Sequence, residues 1–435
     1  MSHDPNLVSH LLSLSQRCTS MRELKTIHGR LLRLNLHLNT LILAKLLRFA
    51  AVSPSGDLHY AHTLFCHTPH PDTFFYNTLI RGYAKTASTS QPISLFTHMR
   101  RSSTPPDEFT FNFLLNACSR MLKLGEEIHG QVFKLGFSRN THVQNALIHL
   151  YAANRFPEIA RKVFDEMPQR DVVSWSSLVV AHVKARDLDS AKKVFDEMPE
   201  RDVVAWTALI TGFDRVGHFA EALVLFWKMQ EAGVQPDEVT ILGVVSACAN
   251  LQDLEAGMSV HCYIEERGFS WMVALCNALI DMYSKCGCLE KAWAVFERMP
   301  RRSLVSWNSI ILACALHGAG EEALRLFQEM TKEAGVRPDG ATFLAAMSAC
   351  AHEGWVVEGW RLLESMEREH GIPATIEHYG CMAGMLAHAG QLEAAYDLIM
   401  SMPVPSTEEV WRVLLSACKI HGNAAMRERI VNRLL

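Results

Sequence analysis

The chain has 435 residues, 49% of them hydrophobic, and 42 Lys and Arg against 46 Asp and Glu for a formal charge of −4. This is ample material for a core, without the run of about 18 apolar residues that a membrane span needs. It also lacks the net basic character expected of a protein that holds nucleic acid through phosphates alone.

Residues 1–7 form a short N-terminal segment, and residues 1–22 contain Asp4 as their sole acid beside several Ser, so a short or overlapping targeting segment is expected. Two degenerate units follow, about 8–39 and 40–72. The clear units run 73–107, 108–140, 141–171, 172–202, 203–237, 238–272, 273–303, 304–339, 340–375 and 376–407. Residues 408–435 close the chain. No linker or low-complexity stretch interrupts the array, which predicts one continuous body.

Within 203–237, Trp206, Leu209, Ile210 and Phe213 share one face at helical spacing, and Ala222, Leu225, Phe226 and Met229 form a second stripe after Gly217. Gly233 and Pro236-Asp237 then turn the chain into the next unit. Each unit therefore reads as two helices. The predicted fold is all-α, a right-handed superhelical solenoid of about twelve helix-turn-helix repeats, in which stacking builds the core that one unit alone lacks.

The units are of three kinds. FDEMPQRDVVSW ending at Trp175 returns as FDEMPERDVVAW ending at Trp206 and as FERMPRRSLVSW ending at Trp307, each marking a unit of about 31 residues. Others are about 35 residues and end in Pro-Asp, and the third kind, 33 to 36 residues, carries Ala-Cys and often His-Gly. Cys18, Cys118, Cys248, Cys350 and Cys418 recur at one repeat position and read as reduced core fillers. Cys286 and Cys288 make only C-x-C, and no H-x-E with P-C-x-x-C is found, so no metal site and no zinc-deaminase chemistry is expected. No glycine-rich phosphate loop or nucleophile elbow points to an enzyme either. His28, His129 and His261 are expected to pack or hydrogen-bond, and Trp175, Trp206 and Trp307 to pack between helices.

This alternation of lengths and strings resembles the plant pentatricopeptide repeat proteins of the PLS class. The order is L, S, P, L, S, S, P, L, S over 8–303, with 304–407 a terminal P, L, S triplet. The segment EEVWRVLLSACKIHGNAAMRERIVNRLL within 408–435 resembles the first part of the family's E extension, which places the chain in the E subgroup with that extension partial.

The resemblance implies that the fifth and last residues of each P or S unit select one RNA base. Asn77 with Asp107, Asn145 with Asp171 and Asn308 with Asp339 imply a pyrimidine. Ser176 with Asp202 and Thr207 with Asp237 imply guanine, and Asn277 with Ser303 implies cytosine. The L pairs Leu242 with Met272 and Leu344 with Thr375 are silent, and Asn112 with Asn140 tolerates a pyrimidine. Ala44 with Asp72 and Gly380 with Thr407 depart from the code. The implied target is Y-n-Y-G-G-n-C-Y-n-n. Phe74, Val173, Val204 and Val305, each second in its unit, are implied to wedge bases, and His142 and Ala274 fit that role less well. An Asp in front of a helix is equally expected to be its N-cap.

The resemblance thus implies a sequence-specific single-stranded RNA-binding protein, the site-recognition factor for C-to-U editing in an organelle, with a DYW-type deaminase and editing-factor proteins recruited in trans. The mitochondrion is favoured over the chloroplast. An organellar RNA stabilisation, processing or translation factor, and a protein-binding scaffold, are the alternatives. No cofactor and no membrane partner are expected.

Overall fold

The computed structural model describes residues 5–34, 36, 39–86, 89–269, 272–332 and 335–434. Residues 1–4 of the N-terminal segment, Asp4 included, lie outside the described residues. Every regular element described is a helix, 26 in all. The chain divides into two compact units, Met1–Gly212 and Phe213–Leu435.

In the first unit the helices alternate in role. The first helices of successive repeats, Thr40–Val52, Thr73–Ala84, Glu108–Ala117, Thr141–Ala153 and Val172–Lys184, each pack on the next. The second helices, such as Leu58–Cys66 and Leu122–Lys134, fill the spaces between them. The second unit repeats this arrangement, with Glu238–Leu251, Val273–Lys285, Leu304–Leu316, Gly340–Glu353, Ile376–His388 and Glu408–Ile420 as the stacked row.

The period of the apolar residues dictates this. Trp206, Leu209 and Ile210 are buried on one helix, and Ala222, Leu225, Phe226 and Met229 on the next. Between the two helices Gly217 sits at φ +87°, a left-handed turn that a side chain would strain. Elsewhere Gly257 lets helices touch, because a Cβ there would stand 2.4 Å from the Met282 sulfur.

The recurring FDEMP-x-RD string has a local explanation. Arg170 donates from Nε to the Phe164 carbonyl at 3.1 Å and from Nη2 to the Asp165 carbonyl at 3.0 Å, closing the open end of the preceding helix. Its guanidinium lies 4.7 Å from the Phe164 ring centre, and Trp175 meets the same ring edge-on at 4.7 Å. Arg201 with Phe195 and Trp206 repeats the cluster in the same unit, and Arg302 with Phe296 and Trp307 does so in the other. Trp206 and Trp307 are buried, whereas Trp175 is only half-buried.

Three histidines tie neighbouring repeats together. His28, His129 and His261 hydrogen-bond through Nδ1 to the hydroxyls of Tyr60, Tyr151 and Tyr283 at 2.6, 2.8 and 2.8 Å. Cys118, Cys248, Cys350 and Cys418 are buried, and Cys18 is half-buried. Burial pushes the Cys350 thiol up to about 12, with Glu358 adding to the effect.

Candidate nucleic-acid interface

The N-terminal turns of the stacked first helices hold most of the side chains singled out in the sequence. The last residue of a unit is the N-cap of the next unit's first helix: Asp107, Asp171, Asp237 and Asp339 each accept from the backbone N–H three residues on. One carboxylate oxygen thereby serves a helix end and its dipole. In Asp107, Asp171 and Asp339 the same oxygen reaches back to the fifth residue of its own unit.

Asn77 donates from Nδ2 to Asp107 Oδ1 at 2.8 Å, Asn145 to Asp171 Oδ1 at 3.1 Å, and Asn308 to Asp339 Oδ1 at 3.1 Å. Ser176 lies 2.7 Å from Asp202 Oδ1 as hydroxyl donor, and 2.8 Å from the Val172 carbonyl that competes for its one hydrogen. Within the compact units these four expected pairs are joined directly. Asn277 and Ser303 differ. Ser303 caps its helix with Ser306, and the buried Asn277 Oδ1 has no hydrogen-bond partner among the described residues. Thr207 and Asp237 belong to different compact units. Thr207 accepts on its carbonyl from Thr211 Oγ1, and Asp237 Oδ1 accepts from Thr240.

The L-unit residue Asn112 accepts from Asn116 Nδ2 at 3.0 Å, while Asn140 caps the helix Thr141–Ala153. Thr375 shares a capping box with His378.

A third residue type enters that the sequence reading passed over. A hydroxyl at the third position of the following unit stands against each Asn–Asp pair: Thr110 donates to Asn77 Oδ1, Ser174 to Asn145 Oδ1 and Thr342 to Asn308 Oδ1, all at 2.7 Å. The available signal was the Ser or Thr three places after Asp107, Asp171 and Asp339.

Partial burial works against the charge of Asp171, yet hydrogen bonds from the Ser174 hydroxyl and amide and from Asn145 outweigh it and hold the carboxyl below its usual range. Asp339 is held down likewise, burial opposing and the Thr342 amide, Thr342 hydroxyl and Asn308 prevailing.

The residues second in their units stand out from the surface. Phe74 is 47% exposed, and Val173, Val204 and Val305 are 56%, 50% and 56% exposed. Phe109, at the same place in its unit, is 53% exposed and was not singled out in the sequence. Phe74 and Phe109 line one groove together with Asn77, Asp107, Arg48 and Arg81. Two apolar walls, a paired polar edge and two cations make a slot with the chemistry of an unstacked base and its phosphate.

The donor and acceptor inventory follows from these bonds. Each paired Asn has spent one N–H and one lone pair, leaving one donor and one acceptor, which matches a pyrimidine edge. Ser176 with its hydrogen committed, beside Asp202 Oδ2, offers acceptors only, which matches the N–H groups of guanine.

Fold and site together define a helical-repeat protein with a joined polar pair in four of its repeats. The family model for PPR repeats matches residues 145–172, 173–203, 274–304 and 341–370, and that of the PPR repeat family matches 71–120, 201–250 and 302–352. Pentatricopeptide repeat-containing protein At3g56550 of Arabidopsis thaliana is 36% identical over 429 residues, covering 98% of this chain and 68% of its own length. At5g56310 of the same plant is 39% identical over 430 residues, covering 97% and 81%. Among solved structures, the pentatricopeptide repeat protein PPR10 from maize aligns over 98% of this chain and 88% of its own at 14% identity, with a TM-score of 0.37. The chain belongs to the pentatricopeptide repeat family.

Proposed function

We propose that the chain binds single-stranded RNA in sequence, one base per readable repeat, and serves as the site-recognition factor for C-to-U editing in a plant organelle. The observation that carries RNA reading is the recurrence of a joined fifth and last residue in the units 73–107, 141–171, 172–202 and 304–339, with exposed apolar second residues in three of them. A protein-binding face has no need for the same donor and acceptor pair at each step, whereas a row of bases does. The pairs then read Y-n-Y-G-G-n-C-Y.

The editing role rests on the alternation of unit lengths and on the segment at 408–435. Its chemistry belongs to a partner, a DYW-type deaminase acting with editing-factor proteins. A relative 34% identical to this chain is named chloroplastic/mitochondrial, which supports an organelle, and the mitochondrion is the proposed one. Loss of the gene should abolish conversion of a cytidine a few nucleotides 3′ of a Y-n-Y-G-G-n-C-Y site in an organellar transcript. Normal editing there with altered transcript ends or abundance would instead identify a stabilisation or processing factor.

A further inference from the structure

In all three joined Asn–Asp pairs the backbone N–H of the Asp donates to the third-position hydroxyl, at 3.0 Å for Thr110, 3.3 Å for Ser174 and 3.1 Å for Thr342. That hydroxyl has a single hydrogen, and 2.7 Å away in each case is the Asn Oδ1. The Asp Oδ1, at 2.9, 2.7 and 2.9 Å, is its one alternative acceptor among the described residues, and that oxygen already takes the Asn Nδ2 and the capping N–H.

An Asn amide has two faces of nearly equal shape and opposite hydrogen-bonding sense, and it flips unless its neighbours choose. Here both edges are chosen. Turned over, the amide would set Oδ1 against a carboxylate oxygen and Nδ2 against a hydroxyl oxygen that already accepts. Asn277 supplies the contrast. Ser306 Oγ accepts from the Ser303 backbone N–H and shares a hydrogen bond with Ser303 Oγ, and Asn277 Oδ1 is buried without a partner among the described residues. Where the fifth residue is Ser176, which has no amide to orient, the corresponding third residue is Ala205.

We propose that Thr110, Ser174 and Thr342 are positioning residues for base recognition: their hydroxyls fix which donor and which acceptor of Asn77, Asn145 and Asn308 remain for the base. The inference rests on the RNA-reading proposal. It adds a specificity-determining residue that lies in the repeat after the one whose base it governs. Removing the hydroxyl leaves Asn Oδ1 without its donor and the amide held by the Asp carboxylate alone, so purines and pyrimidines are told apart less sharply at that step.

The test uses the purified full chain with Thr110→Val, Ser174→Ala and Thr342→Val, singly and together. Rescue variants are Thr110→Ser, Ser174→Thr and Thr342→Ser. Ser190→Ala serves as control, since Ser190 is the matching third residue after a capping Asp187 that faces no Asn. Affinities are measured at fixed salt for an RNA containing UAUGGACU and one containing AAAGGACA, with helical content and thermal midpoint followed in parallel. Wild type and rescue variants should prefer UAUGGACU, and the triple variant should lose about tenfold or more of that preference while still preferring GG over CC at the guanine steps. The control should melt earlier yet keep the preference. If the triple variant is unfolded, each single variant is read at its own base.

Folded variants with the wild-type preference, or with equal loss on every RNA, would overturn the inference and leave RNA reading intact. A wild-type chain without any preference would overturn the RNA reading itself, and the inference with it.

Discussion

One atom, the Oδ1 of Asp107, Asp171 or Asp339, caps the start of a helix and joins the fifth residue of its unit at once. An N-cap and a base-selecting residue are therefore not competing descriptions of these aspartates. The cap holds the carboxylate rigid, and at Asp171 the second oxygen shares the Asn145 Nδ2 at 3.4 Å. At Ser176 the acceptor-only edge depends on Asp202, so Asp202→Asn, which brings in a donor, should cost about tenfold in preference for guanine at that step, on the order of 1–3 kcal/mol for a hydrogen bond to a charged group. Fluorescence titration with G or A at the matching base would show it. The low pKa of Asp171 also sets a pH dependence. Its folded value is depressed, so the native state binds fewer protons than the unfolded chain through the acid range. Its contribution is complete above the unfolded value of about 3.9 and is lost as pH falls through the lower folded value. Thermal melts of Asp171→Asn between neutral and acid pH should show a shallower acid limb than wild type.

At the scale of the helix pair, the Arg of the FDEMP-x-RD string is a C-terminal clamp. Two parallel N–H groups meet two successive carbonyls while the guanidinium lies on a Phe ring. Lys lacks that fork, so Arg201→Lys should be nearly as destabilising as Arg201→Ala, by about 1–2 kcal/mol, measurable in urea melts. The thiols divide by depth. Cys66 and Cys262 are exposed and should react with an alkylating reagent in the native state, whereas Cys118, Cys248, Cys314 and Cys350 are buried and should react only on unfolding. The helices, the break at Gly217 and most of their buried faces were legible in the sequence, because a 3.6-residue period and a glycine turn are local signals. The pair partners were legible as types at fixed unit positions. What sequence did not reveal is that Asn145 touches Asp171 and Ser174, since that contact exists only once two helix pairs stack. The half-exposure of Trp175, against the burial of Trp206 and Trp307 in the same string, also depends on neighbours that the string does not contain.

For the molecule as a whole, a charge of −4 bears on how the proposed RNA ligand would be held. Affinity through phosphates falls steeply with salt, whereas contacts at base edges do not depend on it in the same way. Replacing GG by CC leaves the phosphates unchanged, so it should lower affinity at every salt concentration without altering the slope of log affinity against log salt. The measurement that tests the central claim most directly is the affinity of the purified chain, at fixed salt, for a single-stranded RNA carrying UAUGGACU against the same RNA with GG replaced by CC. Tight binding lost on replacement is predicted. Equal binding to both RNAs would contradict the reading of bases by these side-chain pairs and would favour a scaffold whose ligand is a protein.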